Sequence, residues 1–427
     1  MAIEPSSEAE SLEHRGALKI PAVRNFALGR IVSVLGAQML DVAVGWQLYD
    51  RTHSPLSLGL VGLSQVIPVV LLALPAGAAA DRFDRRRMGM LAQAGLSLAA
   101  LGLALASVLH APVWTLYAML FVTGVCGTFT RPATVSLLAQ IVPREQFNNA
   151  NAWLSSGFQI GATAGPALGG LVIGATGGAS AVYFIDAACA LLFVGTLATI
   201  PQRAIRPMEK RPGTDVRLSA GLRFVFRSRL LLPAITLDLF AVLLGGSTAL
   251  LPVFAKDILH TGPRGLGFLR AAPSLGATAA ALLQTRLPPW RRTGRVLLLC
   301  VTVFGVGTVG FGLSRSLPFS LVCLFILGAF DNVSAVIRAT LEQVVSPDHL
   351  RGRVASIHWV FIGLSNEMGT FESGFAAALF GAVPAVVGGG VGTLLVVAVV
   401  RFVWPELWKL GRLEEARDHS GETGLAN

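Results

Sequence analysis

The chain has 427 residues, of which 53 % are hydrophobic and only 14 % charged, and its mean hydropathy is +0.65. A soluble globular protein carries about a quarter charged residues, so this chain cannot coat a water-facing surface, and a polytopic membrane protein is the class left. The formal net charge of +10 does not point to nucleic acid, because the basic residues sit in short connections between apolar runs, where they set topology and meet anionic headgroups.

The polar segment 1–19 reads as a tail, with no short hydrophobic region and cleavage site, so the first apolar run is expected to be retained. Apolar runs follow at about 25–49, 57–80, 88–109, 112–137, 151–175, 180–200, 231–255, 265–284, 294–314, 317–345, 353–380 and 383–404. Each is long enough to cross a ~30 Å hydrocarbon layer as a helix. The expectation is an all-α integral membrane protein with twelve transmembrane helices and both termini on one side. With the termini in the cytoplasm, the inner connections hold nineteen Arg and Lys residues and the outer ones four, namely Arg51, Lys256, Arg264 and Arg315. Short basic loops stay inside, which settles the orientation. Cys126, Cys189, Cys300 and Cys323 all fall within apolar runs and read as small buried hydrophobes.

The longest polar connection, Pro201–Arg229, divides the chain. Residues 1–200 are predicted to form an N-terminal six-helix bundle with its tail, 201–229 a cytoplasmic linker, and 230–427 a C-terminal six-helix bundle with its tail. Within the linker, Leu218, Leu222 and Phe226 alternate with Arg217, Arg223 and Arg227, the pattern of a basic amphipathic helix on the inner leaflet. The halves repeat: at an offset of 204, Leu120-Phe121 and Gly124 lie over Leu324-Phe325 and Gly328, and Leu137 and Pro143 over Leu341 and Pro347. Parallel repeats of this kind build transporters whose substrate sites lie between the halves near the midplane.

The densest early cluster of charge, Gly77-Ala78-Ala79-Ala80-Asp81-Arg82-Phe83-Asp84-Arg85-Arg86-Arg87, joins the second and third runs. It resembles the signature of the major facilitator superfamily, G-x-x-x-D-R-x-G-R-R, with Asp84 where glycine is usual, and Asp84 would serve there as an Asx-type turn residue. Further stretches resemble a bacterial exporter group of that superfamily, the one that includes the enterobactin exporter. They are Gly45-Trp46-Gln47-Leu48-Tyr49, Leu58-Gly59-Leu60-Val61, Val142-Pro143-Arg144-Glu145-Gln146 and Leu350-Arg351-Gly352-Arg353-Val354. The resemblance implies the major facilitator fold, two pseudo-symmetric six-helix bundles, and an inner-membrane exporter driven by protons with a siderophore or lipophilic small molecule as cargo. It also implies that Asp81, with Gly77, Arg82, Arg85 and Arg86 around it, latches the halves on the cytoplasmic side.

On the fifth run, Gly161, Gly165, Pro166, Gly169 and Gly170 resemble the glycine-proline motif of the antiporter branches. Physically, glycines four apart bare the backbone for a neighbouring helix, and proline bends the helix. Ionisable residues inside apolar runs are costly and so are functional candidates by default. On the tenth run Asp331, Ser334, Arg338 and Glu342 share one helical face, with Asn332 beside them. Asp331 is the first choice for a protonatable group, and Arg338 with Glu342 would either pair to lock the inner gate or meet substrate. On the first run Arg30, Gln38 and Asp41 share a broad face; the resembled fold would turn Asp41 and Trp46 to the substrate cavity together with Arg131 of the fourth run and Asp238 of the seventh. Arg30 and Asp238 would pair across the halves. The eleventh run carries His358, Ser365, Asn366, Glu367 and Glu372, an interhelical hydrogen-bond seam or a second proton path, and His358 reads as a satisfied polar residue because its helix has no second histidine.

No H-E-x-x-H, Ser-His or G-x-x-x-x-G-K-[ST] arrangement occurs in the places enzymatic or ATP-driven chemistry would need. The expectation is therefore a secondary transporter with no catalytic residue, metal or cofactor. It is expected to be a monomeric antiporter-type efflux protein in the bacterial cytoplasmic membrane, exchanging protons for a siderophore or a drug, with lipid and no nucleic acid as its other partner. The other readings are a proton-coupled importer or a lipid flippase on the same fold.

Overall fold

The computed structural model describes residues 16–201, 218–288, 290–347 and 350–412, and among these there is no strand. A chain crossing hydrocarbon must satisfy every backbone N–H and C=O internally, and without closed barrels only helices do this. The first six spans are α1 (Pro21–Thr52), α2 (Pro55–Arg82), α3 (Arg85–Val108), α4 (Val113–Ile141), α5 (Phe147–Thr176) and α6 (Ser180–Ala198). The linker helix α7 (Leu218–Arg227) follows, then α8 (Leu231–Leu244), α9 (Gly262–Gln284), α10 (Thr293–Leu313), α11 (Leu317–Val345), α12 (Arg351–Phe380), α13 (Ala382–Val403) and the short α14 (Pro405–Lys409).

Eleven of these elements are long and apolar enough to cross a membrane, with α8 continued through to Ile258. The twelfth span, α12, has 30 residues, about 45 Å at the helical rise. Its length suffices, but His358, Asn366, Glu367 and Glu372 hold its hydropathy down. The fold is the twelve-helix arrangement the sequence predicts, with longer ends: α1 begins at Pro21 and α5 at Phe147, outside the strictly apolar residues.

The seventh span departs from expectation. The run at 231–255 reads as one helix, whereas α8 stops at Leu244 and the backbone continues through a 3-10 turn, Ser247–Leu250, and a π turn, Phe254–Ile258. The break falls on Gly245-Gly246. A Cβ on Gly246 would stand 2.9 Å from the Gly369 carbonyl oxygen of α12 and 2.7 Å from the Ser373 hydroxyl. Irregular backbone is tolerated at membrane depth only when enclosed by protein, and Ser247, Leu250, Leu251 and Phe254 are all buried.

The chain forms two compact units, Met1–Gln47 with Ser64–Lys210 and Leu48–Leu63 with Arg211–Asn427. Inside the first, Phe26, Leu137, Ile141, Phe193 and Leu197 make a buried core. Inside the second, Leu231, Leu237, Leu297, Leu341 and Val354 do the same. The tip of the first hairpin, Leu48–Leu63, packs within the second unit, where Asp50 pairs with Lys256 at 2.6 Å and Tyr49 donates to Asp257. The division at Pro201–Arg229 had assigned that tip to the first half.

The internal repeat is visible in packing. In the first unit a Cβ on Gly124 of α4 would stand 2.6 Å from Pro68 of α2. In the second, a Cβ on Gly328 of α11 would stand 1.9 Å from the Pro273 carbonyl oxygen of α9. Residues at nearly one offset thus make the same glycine-on-proline contact twice.

Candidate functional site

In the second unit, three spans carry charge into one buried cluster. Arg338 of α11 is the hub: its guanidinium lies 2.7 Å from Asp238 of α8 and 4.0 Å from Asp331 two turns earlier on α11, and it donates to the Ser334 hydroxyl at 2.5 Å. The side chains of Arg338 and Asp238 are 7 % and 9 % exposed, whereas that of Asp331 is 53 % exposed. One turn further along α11, Glu342 meets His358 Nδ1 of α12 at 2.6 Å, and His358 Nε2 lies 3.9 Å from Asp238. Asp238, Asp331, Ser334 and Arg338, with Cys300 and Phe304 of α10, line a small recess. The steps of three and four along α11 place Asp331, Ser334, Arg338 and Glu342 on one face, so a single helix presents both ends of the network.

Two pairings differ from expectation. Asp238 is held by Arg338 inside its own unit, which replaces the pairing proposed with Arg30, and Glu342 is held by His358 instead of by Arg338. The reason is burial: an ion left alone in low dielectric costs far more than an exposed one, and among the described residues the buried guanidinium of Arg338 meets the buried carboxylate of Asp238. Burial, the ground for favouring Asp331, belongs to Asp238. Asn332 accepts a hydrogen bond from Gln284 of α9 at 3.1 Å. On α12, Ser373 donates to Glu372 at 3.4 Å, Ser365 donates to its own helix at Phe361, and the backbone of Glu367 lies against Gly62, whose added Cβ would stand 2.5 Å from the Glu367 carbonyl.

In the first unit, Arg30 of α1 and Arg131 of α4 lie within electrostatic reach of each other, and so do Asp41 of α1 and Asp186 of α6. Gln38, Asp41 and Trp46 are partly buried. Asp186 was not singled out from the sequence, although it is the only charged residue in the run 180–200; that solitary charge was the available signal. It is buried against α1, where a Cβ on Gly36 would stand 2.7 Å from its carboxylate. The glycines of α5 supply the opposite wall. Cβ atoms at Gly157, Gly161, Gly165 and Gly169 would meet Ile31, Val34, Gln38 and Met39 of α1 at 2.2, 2.7, 2.6 and 3.0 Å. The bared backbone of α5 therefore lies along the helix that carries Arg30 and Asp41.

At the connection between α2 and α3, Asp84 caps α3 by accepting from the backbone N–H groups of Arg86 and Arg87 at 2.8 and 3.1 Å. The arginine side chain of Arg86 in turn donates to the Leu197 and Ala198 carbonyls, at 2.9 and 2.5 Å, at the C-terminal end of α6. Arg82 is exposed, Arg85 is partly buried, and Gly77 has open space where a Cβ would stand. The side chain of Asp81 lies outside the described part of the structure. An N-cap carboxylate replaced by alanine costs about 1 kcal/mol, but replaced by glycine only a few tenths. Asp84→Ala should therefore lower the melting temperature in detergent measurably, and Asp84→Gly should leave it nearly unchanged; equal effects would show that the cap contributes nothing.

Ion-paired charges inside the spans of a multi-span helical protein mark functional positions, and the family and relatives it matches are those of a membrane transporter and not an enzyme. The family model described as transmembrane secretion effector, MFS_3, matches residues 16–420, and the chain belongs to that family. Among curated proteins it is 28 % identical over 391 residues to the enterobactin exporter EntS of Shigella boydii serotype 18, covering 91 % of this chain and 92 % of that one. It has the same identity over 391 residues, with the same coverage, to the enterobactin exporter EntS of Escherichia coli O139:H28. Among solved structures, a bacterial homologue of the human lysosomal transporter Spinster, inward-facing and unoccupied, superposes with a TM-score of 0.72 at 14 % identity, covering 93 % of this chain and 97 % of that one. The nucleoside transporter NupG superposes with a TM-score of 0.70 at 12 % identity over 91 % of this chain and 99 % of that one. The fold is that of the major facilitator transporters.

Proposed function

We propose that this chain is a proton-coupled exporter of a small molecule, working by alternating access of two six-helix bundles, residues 1–200 and 230–427, in the bacterial inner membrane with both termini cytoplasmic. The observation that carries the reading is the buried network of α8, α11 and α12. It sets three carboxylates, Asp238, Asp331 and Glu342, around one guanidinium and one imidazole. Acids outnumber the guanidinium there, and carboxylates and histidines set inside membrane spans are the usual parts of a proton relay. A proton on Asp238 would loosen its hold on Arg338, freeing the guanidinium to swing towards Asp331 or an anionic group of the cargo. Cargo bound to Arg338 would in turn release the proton. The glycine-lined seam between α5 and α1 gives the first unit a helix contact able to slide without interdigitated side chains in the way.

The cargo class, a siderophore or a lipophilic drug-sized molecule, is inferred from the enterobactin exporters that the chain is similar to. One proton moved across 100 mV yields about 2.3 kcal/mol, roughly a forty-fold concentration ratio, enough for useful efflux. In everted vesicles, labelled siderophore or dye should accumulate only when the interior is made acid, and the Asp331→Asn protein should bind cargo without exchanging it. Accumulation indifferent to the pH gradient would remove proton coupling, and uptake by whole cells alone would reverse the direction to import.

A further inference from the structure

A second charged cluster, built from residues outside that network, lies where the C-terminal segment meets the start of α10. Trp408 of α14 holds two arginines against its indole: Arg401, in the last turn of α13, at 4.1 Å from the ring centroid, and Arg295, in the first turn of α10, at 5.1 Å. Backbone hydrogen bonds fix this arrangement, since Thr293 and Gly294 donate to the carbonyls of Gly411 and Leu410. A Cβ on Gly294 would stand 1.7 Å from the Leu407 carbonyl oxygen, so the C-terminal segment is pressed against the start of α10. Both guanidiniums lie within cation–π range of the indole, and each carries five N–H donors.

Neither arginine has a carboxylate partner among the described residues, and the nearby acid, Glu406, is engaged by Arg229 at 3.5 Å. Arg286, Arg291, Arg292, Lys409 and Arg412 add positive charge on the flanking segments. Two like charges gathered at one ring, with no carboxylate paired to either among the described residues, suit an anion. Beside them, Leu299, Phe402 and Val403 are exposed, Phe402 by 82 %. These apolar side chains lie at the ends of membrane spans, so the anion must have hydrocarbon attached. We infer that Arg295, Arg401 and Trp408 form a binding site for the phosphate headgroup of an anionic phospholipid, whose acyl chains lie along Phe402 and Val403.

The test uses the full-length purified protein in nanodiscs of phosphatidylcholine with and without phosphatidylglycerol, with retained lipid read by native mass spectrometry. Wild type should retain phosphatidylglycerol preferentially. At roughly 1 kcal/mol per arginine near a membrane surface, the Arg295→Gln/Arg401→Gln protein should retain it about thirtyfold less well. Trp408→Leu should weaken retention through loss of the platform, with both charges kept. Arg295→Lys/Arg401→Lys should fall between, because lysine keeps the charge but not the stacked fork. Retention equal to wild type in the lysine protein would mean a diffuse positive surface and would overturn the site. So would unchanged retention in the glutamine protein, or full displacement of the lipid by inorganic phosphate.

Discussion

Asp238→Asn should abolish gradient-driven export and destabilise the folded protein by about 3–5 kcal/mol, the cost of leaving one buried member of an ion pair without its partner. The group that loses its partner is Arg338, 7 % exposed, left with the Ser334 hydroxyl at 2.5 Å and the half-exposed Asp331 carboxylate at 4.0 Å among the described residues. Replacing both members removes the stranded charge. Asp238→Asn/Arg338→Gln should therefore recover most of the stability while remaining inactive in export. Thermal melting in detergent reads the first quantity and everted-vesicle accumulation the second. If the single substitution melts like wild type, the pair is not buried in the working protein. If the double variant exports normally, the network is structural and the proton travels elsewhere, with Asp41 and Asp186 of the first unit as the next acids to replace.

Gly165→Ala carries the second large effect. Its Cβ would stand 2.6 Å from Gln38 Cβ and 2.9 Å from the Leu35 carbonyl oxygen, both too close for any real contact and neither the mobile end of a side chain. Helices α5 and α1 must separate to admit it. Overpacking of this kind costs about 1–3 kcal/mol, and the displaced helix is the one that carries Arg30, Gln38 and Asp41, so export should fall along with the melting temperature. Gly195→Ala, on α6, is the matched control, since nothing lies within 4 Å of its added Cβ. Equal melting temperatures for Gly165→Ala and wild type would show that the two helices have slack at this seam.

Much of this architecture is legible in the chain. Hydrocarbon penalises polar groups left without partners, so long apolar runs mark most of the spans, and the arginines between them mark the sides. Local chemistry is equally readable where the partner lies within a few residues: Asp84 was expected to act as a turn residue, and it caps α3 through the next two N–H groups but one. The single face shared by Asp331, Ser334, Arg338 and Glu342 follows from 3.6 residues per turn and needs no tertiary structure to find.

What periodicity cannot supply is the identity of a partner on another helix. The sequence by itself determined that this protein crosses the membrane as two repeated sets of helices, that its glycines on the fifth span bare one edge, and that charge is carried inside. Only the tertiary structure decided that Arg338 reaches Asp238 of α8, that Glu342 is met by His358 of α12, that the seventh span breaks at Gly245-Gly246, and that the glycine edge faces α1. The reason is the range of the interactions. Hydrophobic length and helical spacing are set by neighbours along the chain, whereas a buried charge is satisfied by whichever opposite charge packing brings close, and hydrogen bonds need donor and acceptor within about 3 Å.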